Sequence, residues 1–175
     1  GETLLVTASI GVSPWFVLHQ GLSFKTGYSI GVTTLIVSLI VLFFWMPLKQ
    51  KPGIGTILNT ILISIVIDLS ITYLPYPEEF IFQLLQVCIG VFIIGIGSGF
   101  YLIANLGPGS RDGLMTGIQR ITNFPIAAVR AGIEITVVSI GWYLGGTVGV
   151  GTLLFAFGIG PAVALGLYLV GKFFN

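Results

Sequence analysis

No charged side chain occurs between Phe80 and Ser110, and none between Ile135 and Gly171; the only ionisable groups there are Cys88 and three tyrosines. A helix rises about 1.5 Å per residue and needs about 20 apolar residues to cross a bilayer. The first run therefore holds one spanning helix, and the second holds the end of one and all of another. Composition agrees: 7% of residues are charged and the mean hydropathy is +1.05, against roughly 25% charged in an ordinary soluble domain. The sequence describes an all-α, polytopic membrane protein whose first partner is the lipid bilayer. A net charge of +1 gives no basis for nucleic-acid binding. Cys88 is alone, which excludes an internal disulfide and a multi-cysteine metal site.

The chain also repeats itself. Gly53-Ile54-Gly55-Thr56-Ile57-Leu58 recurs 96 positions later as Gly149-Val150-Gly151-Thr152-Leu153-Leu154. The same offset brings Gly11, Leu18, Gly21 and Thr26 onto Gly107, Leu114, Gly117 and Thr122. Internal duplication in an apolar chain is typical of transporters, whose substrate sites lie where the repeats meet. Two units follow, residues 1–79 and 80–175, together forming one membrane domain.

Spans are expected at about Tyr28–Pro47, Ile54–Leu74, Phe80–Leu106, Pro125–Gly145 and Gly151–Phe173. By the offset, a sixth should precede Gly11, where only ten residues remain. Either most of that helix is missing, or Thr3–Leu22 spans despite Pro14. Truncation is the favoured reading, because Leu5–Gly11 aligns with Tyr101–Gly107, the end of a span, and a start at Gly1 suits a trimmed product.

Lys49 and Lys51 share one loop, Arg111 and Arg120 another, and Lys172 is near the C-terminus. All fall on one side of a six-helix path, as the positive-inside rule requires, with only Lys25 opposite. Each unit then has three helices, and the second enters the membrane upside down relative to the first. Residues 11–74 and 107–170 should superimpose by rotation about an axis in the membrane plane. Within each unit, Gly11–Ser23 and Gly107–Arg120 begin with turn formers and then become helical. At about three turns these helices are too short to cross and should be interfacial or re-entrant. Ser110 is the expected N-cap, with Asp112 in the first turn.

Several motifs carry a resemblance: Pro14–Ser23 (PWxxLHQGLS), Pro52–Thr56 (PGIGT), Gly107–Met115 (GPxxRDGLM), Val129–Glu134 (VRxxxE) and Gly141–Thr152 (GWxLGGxxGxGT). Over nearly its whole length the chain resembles the YczE/YyaS/YitT family of bacterial membrane proteins, in its YczE-like branch. It departs from that pattern at Phe16, where an acid is expected, and at Ser110, where a proline is expected. The resemblance implies a multi-pass protein of the bacterial inner membrane and names no reaction or solute.

Charges at membrane depth are costly and so point to function. Arg130 and Glu134, four apart on one helix, should pair, sit away from lipid and share a polar cluster with Arg111 or Asp112. The structural alternative is a pair that only locks helices together. Asp68, near the outer third of its helix, either reaches the interface or belongs to a pathway. Arg111 and Asp112 open a glycine-rich helix, a setting suited to an anion, although positive-inside bias and capping would also explain them. His19 suits a hydrogen-bonded interfacial role, and Trp15, Trp45 and Trp142 suit interfacial belts. The two GxGT segments should be sites of close helix packing with a threonine cap; they lack a nucleotide loop's lysine.

Two functions fit. One is a secondary transporter or permease for a small, anionic or zwitterionic solute, with substrate-binding candidates Arg111, Asp112, Arg130, Glu134, His19 and Asp68. The other is a non-transporting membrane partner or regulator, acting through a homo-oligomer or another membrane protein. No nucleophile, base and orienting acid form a set, so an enzyme is not expected, and no cofactor or metal is called for.

Overall fold

A computed structural model describes the backbone of residues 1–174 and the side chains of residues 1–172. Eight helices follow one another: α1 (Glu2–Ala8), α2 (Pro14–Thr26), α3 (Ile30–Trp45), α4 (Ile54–Ile71), α5 (Phe80–Ala104), α6 (Ser110–Thr122), α7 (Ile126–Tyr143) and α8 (Val150–Phe174). Four of them, α4, α5, α7 and α8, are long and apolar enough to cross a bilayer. The pair α2 and α3 passes only jointly, bent by 116° at the break between them.

Of the span expected at Tyr28–Pro47, the helix covers Ile30–Trp45, and it counts towards a fifth crossing only together with α2. Gly27 ends α2 in the left-handed conformation, at φ 76°, and Ser29 restarts the chain as N-cap of α3 by accepting the Val32 N–H. The 16 residues of α3 rise about 24 Å, slightly less than the 18 of α4 and α7. Thr3–Leu22 is not one helix, since Ser9 turns left-handed at φ 59° after α1. Ser110 is the first residue of α6 rather than its cap, a position held by Gly109.

The helix starts keep the sequence offset. Pro14 and Ser110, Ile30 and Ile126, and Ile54 and Val150 open equivalent helices, while α1 and α5 end at Ala8 and Ala104. Contacts keep it too. The Gly55 N–H donates to the Leu106 carbonyl at 2.9 Å, and the Gly151 N–H to that of Ile10 at 2.8 Å. Thr56 and Thr152 hydroxyls accept the Gly53 and Gly149 N–H groups at 3.2 and 3.3 Å. A side chain on Gly53 would meet the Leu106 carbonyl oxygen at 2.3 Å, and one on Gly149 that of Ile10 at 2.4 Å. The GxGT segments are thus places where two backbones touch.

Glycine also sets the α5–α8 interface, the most extensive in the molecule. A Cβ on Gly95 would lie 2.4 Å from that of Ala162, and one on Gly99 would lie 2.5 Å from the Gly166 backbone. Small residues let transmembrane helices approach and gain dispersion contacts that lipid cannot supply. The main core joins α1, α2, α4, α5 and α8 through Leu5, Phe16, Ile67, Val87 and Phe155. A second one, Trp15 with Val37, Val41 and Val137, ties α2 to α3 and α7.

Trp15 and Trp45 do not form a belt. Both are buried, and the Trp45 indole N–H donates to the Ser110 carbonyl at 2.9 Å, with its ring against Gly113 of α6. Only Trp142, at 68% exposure, matches the expected use.

Candidate functional site

The N-terminal ends of α2 and α6 meet. Pro14 at the first position of α2 needs no N–H partner and presets φ, and Gly107, at φ 119°, turns the chain into α6 against Gly53 and Thr56. Arg111 projects from the first turn of α6 onto α2, its guanidinium carbon 5.3 Å from the centre of the Trp15 ring and 5.7 Å from that of Phe16. Trp15 and Arg111 are themselves 96 positions apart, so equivalent residues of the two units touch.

Arg111 makes no hydrogen bond, and no ion pair within 4 Å, among the described residues. Its five donors are held by ring faces alone. Burial lowers the guanidinium from its ordinary value, opposed by the charges of Glu2, Asp112 and Glu134. Burial likewise raises the Asp112 carboxyl, against Arg111 and then Arg130. Arg111 is half-buried and Asp112 exposed.

Glu2, absent from the sequence-derived candidates, belongs to this cluster. Its carboxylate accepts the Ser13 hydroxyl at 2.8 Å and acts electrostatically on Arg111. The signal was available: Glu2 is the only acid before Asp68. Its equivalent in the second unit is Ser98, so the repeat did not flag it.

Arg130 and Glu134 pair through Nε and Oε1 at 2.8 Å, with side chains 48% and 22% exposed. The pair shares a field with the Arg111 cluster, Glu134 acting on Arg111 and Arg130 on Asp112, but no hydrogen bond joins them. Asp68 lies elsewhere. It accepts the Gly31 N–H at 2.7 Å and the Ser29 hydroxyl at 2.5 Å, capping the start of α3 from α4.

His19 is fully buried in the protein. Its Nδ1 lies 2.7 Å from the Thr34 hydroxyl, which itself donates to the Ile30 carbonyl at 2.7 Å. A hydroxyl has one proton, so this network assigns the histidine proton to Nδ1 and leaves Nε2 a bare acceptor. Nε2 and the Trp15 indole N–H are the buried side-chain polar atoms without a partner among the described residues. They sit four apart on α2, an acceptor and a donor, with the Trp15 ring under the Arg111 guanidinium and His19 within its electrostatic reach.

Beside Trp15 opens a cleft of about 900 Å³ between α2, α3, α6 and α7. Most of its walls come in pairs 96 positions apart, among them Leu18 and Leu114, Val41 and Val137, and Phe44 and Ile140. The cleft is therefore lined by equivalent residues of both units.

A family model described as a family of unknown function, DUF6198, matches residues 1–167. An uncharacterized protein of Haemophilus influenzae is 38% identical over 172 residues, covering 98% of this chain and 79% of that protein. The uncharacterized membrane protein YczE of Bacillus subtilis is 36% identical over 149 residues, 85% of this chain and 69% of its own length. The uncharacterized protein YyaS of the same organism is 27% identical over 158 residues, 88% and 79% of the two chains. No solved structure matches. With most of its length matched, and spans enough to cross a bilayer several times, the chain is a multi-pass membrane protein that belongs to the DUF6198 family.

Proposed function

We propose that the protein is a secondary transporter of the bacterial inner membrane for a small anionic solute, bound at Arg111 between two inverted units. The observation that carries this reading is the guanidinium itself: half-buried, set over two aromatic rings, and without a hydrogen bond or ion pair among the described residues. Removing a cation from water without a counter-charge in contact is expensive, and an anionic ligand would supply one. Two short helices bring their positive ends towards the same place, the arrangement by which broken helices hold anionic substrates in transporters built of inverted repeats.

Loop contacts support the inversion. The Met46–Gly53 connection packs on Leu106, Gly107 and Gly117, while residues 144–149 pack on Ile10, Gly11 and Gly21. With the basic loops inside, the first group is cytoplasmic and the second external, so α2 and α6 approach the centre from opposite faces. Glu2, Asp112 and the Arg130–Glu134 pair then supply the alternative charge partners that let Arg111 release its anion.

A membrane partner that transports nothing is the second reading, favoured by the apolar, open character of the cleft. Uptake of a labelled organic-anion panel into proteoliposomes decides between them. Transport is expected for the native protein and is lost in Arg111→Gln with the protein still inserted and folded. Absence of uptake for every anion, with Arg111→Gln changing only stability, overturns the transporter reading.

A further inference from the structure

Resting on the anion reading above, we infer that the solute is a carboxylate bearing a single apolar chain, with its head on Arg111 and its chain in the cleft beside Trp15. Trp15 belongs to both places, carrying Arg111 over its ring and lining the cleft wall. The wall has almost nothing to offer a polar molecule. Among its lining side chains only Thr122, Thr136 and the Trp15 indole are polar. Both threonine hydroxyls give their protons to their own helices, at the Ile118 and Gly132 carbonyls, each at 2.8 Å. The Trp15 indole N–H is buried and without a partner among the described residues.

Charge selects the head group. Arg130 is already paired with Glu134, which leaves Arg111 as the cation of this cluster without an ion pair among the described residues, under the charges of Glu2 and Asp112. A guanidinium fork matches a carboxylate with two parallel hydrogen bonds, and because Glu2 and Asp112 already act on Arg111 a monoanion meets less repulsion there than a phosphate with two charges. Size selects the tail. About 900 Å³ falls within the roughly 300 to 1,000 Å³ of sites that enclose one small molecule, which suits one chain rather than a two-chain phospholipid.

The test is binding of radiolabelled decanoate to the full chain in phosphatidylcholine nanodiscs, with empty nanodiscs as background. Butyrate, octanoate, decanol and inorganic phosphate serve as competitors. Each buried methylene contributes about 0.8 kcal/mol, so octanoate should compete at least roughly tenfold better than butyrate. Decanol and phosphate should compete poorly. Arg111→Gln should lose decanoate binding. Ile140→Trp, at a half-exposed wall position that tolerates bulk, should weaken decanoate and leave butyrate unchanged. If butyrate and octanoate compete equally and Arg111 is still required, the cleft assignment fails while the anion site stands. If decanol competes as well as decanoate, or decanoate binding survives Arg111→Gln, the cleft holds bilayer-like apolar material and the inference is wrong. If neither acid binds, both this inference and the anion reading fall.

Discussion

At the residue scale, the reciprocal contact between Gly113 and Trp45 shows how a side chain from one unit is seated in the other. A Cβ on Gly113 would stand 2.0 Å from the Trp45 ring, and the ring is pinned by its hydrogen bond to Ser110. Gly113→Ala should therefore destabilise the protein by about 1–3 kcal/mol through overpacking, seen as a lower midpoint in thermal unfolding. Gly160→Ala, where nothing lies within 4 Å, should be neutral or slightly stabilising, because alanine is the better helix former. Asp68→Asn keeps one acceptor for the start of α3 and loses the charge. It should cost about 0.5–2 kcal/mol, as cap losses do, with solute binding unchanged; a loss of binding at unchanged stability would return Asp68 to the site. The burial of Trp45 could not be read locally, since its partners lie on a helix far along the chain. The i, i+4 pairing of Arg130 with Glu134 was legible, because helical spacing alone brings the two together.

At the element scale, the helices with long charge-free or nearly charge-free runs were legible to within a few residues, since hydropathy and bilayer thickness dictate them. The short helices were legible as short and not as to depth. The segment Gly11–Ser23 reads as interfacial or re-entrant because it is too short to cross, and its His19 and Gln20 are both buried. Thr34 takes one ring nitrogen of His19, and the Gln20 side-chain oxygen accepts the Thr147 N–H at 2.8 Å, a bond between units that no local pattern encodes. The paired GxGT starts of α4 and α8 give a direct check on the repeat. Gly53→Ala and Gly149→Ala each drive a Cβ into a carbonyl oxygen of the other unit, and backbone cannot yield as a flexible side chain does. Both should lower the unfolding midpoint, and by similar amounts. A large drop for one with none for the other would mean that the two junctions do not carry equivalent loads.

At the scale of the whole molecule, the anion reading depends on α2 and α6 reaching the Trp15–Arg111 contact from opposite faces of the membrane. The 96-residue offset was visible in the sequence, as were the basic loops, but the meeting of Trp15 with Arg111 was not, because it requires the two units to be folded against each other. Lys25 and Ile121 occupy equivalent exposed positions near the ends of α2 and α6, which makes them the natural reporters. With Cys88, itself exposed, replaced by alanine, Lys25→Cys and Ile121→Cys can each be labelled in intact cells and in inverted vesicles with a membrane-impermeant maleimide. Lys25→Cys is expected to react only from the outside and Ile121→Cys only from the cytoplasmic side. Labelling of both positions from the same side would contradict the inverted arrangement, and with it the placing of an anion site between two opposed helix ends.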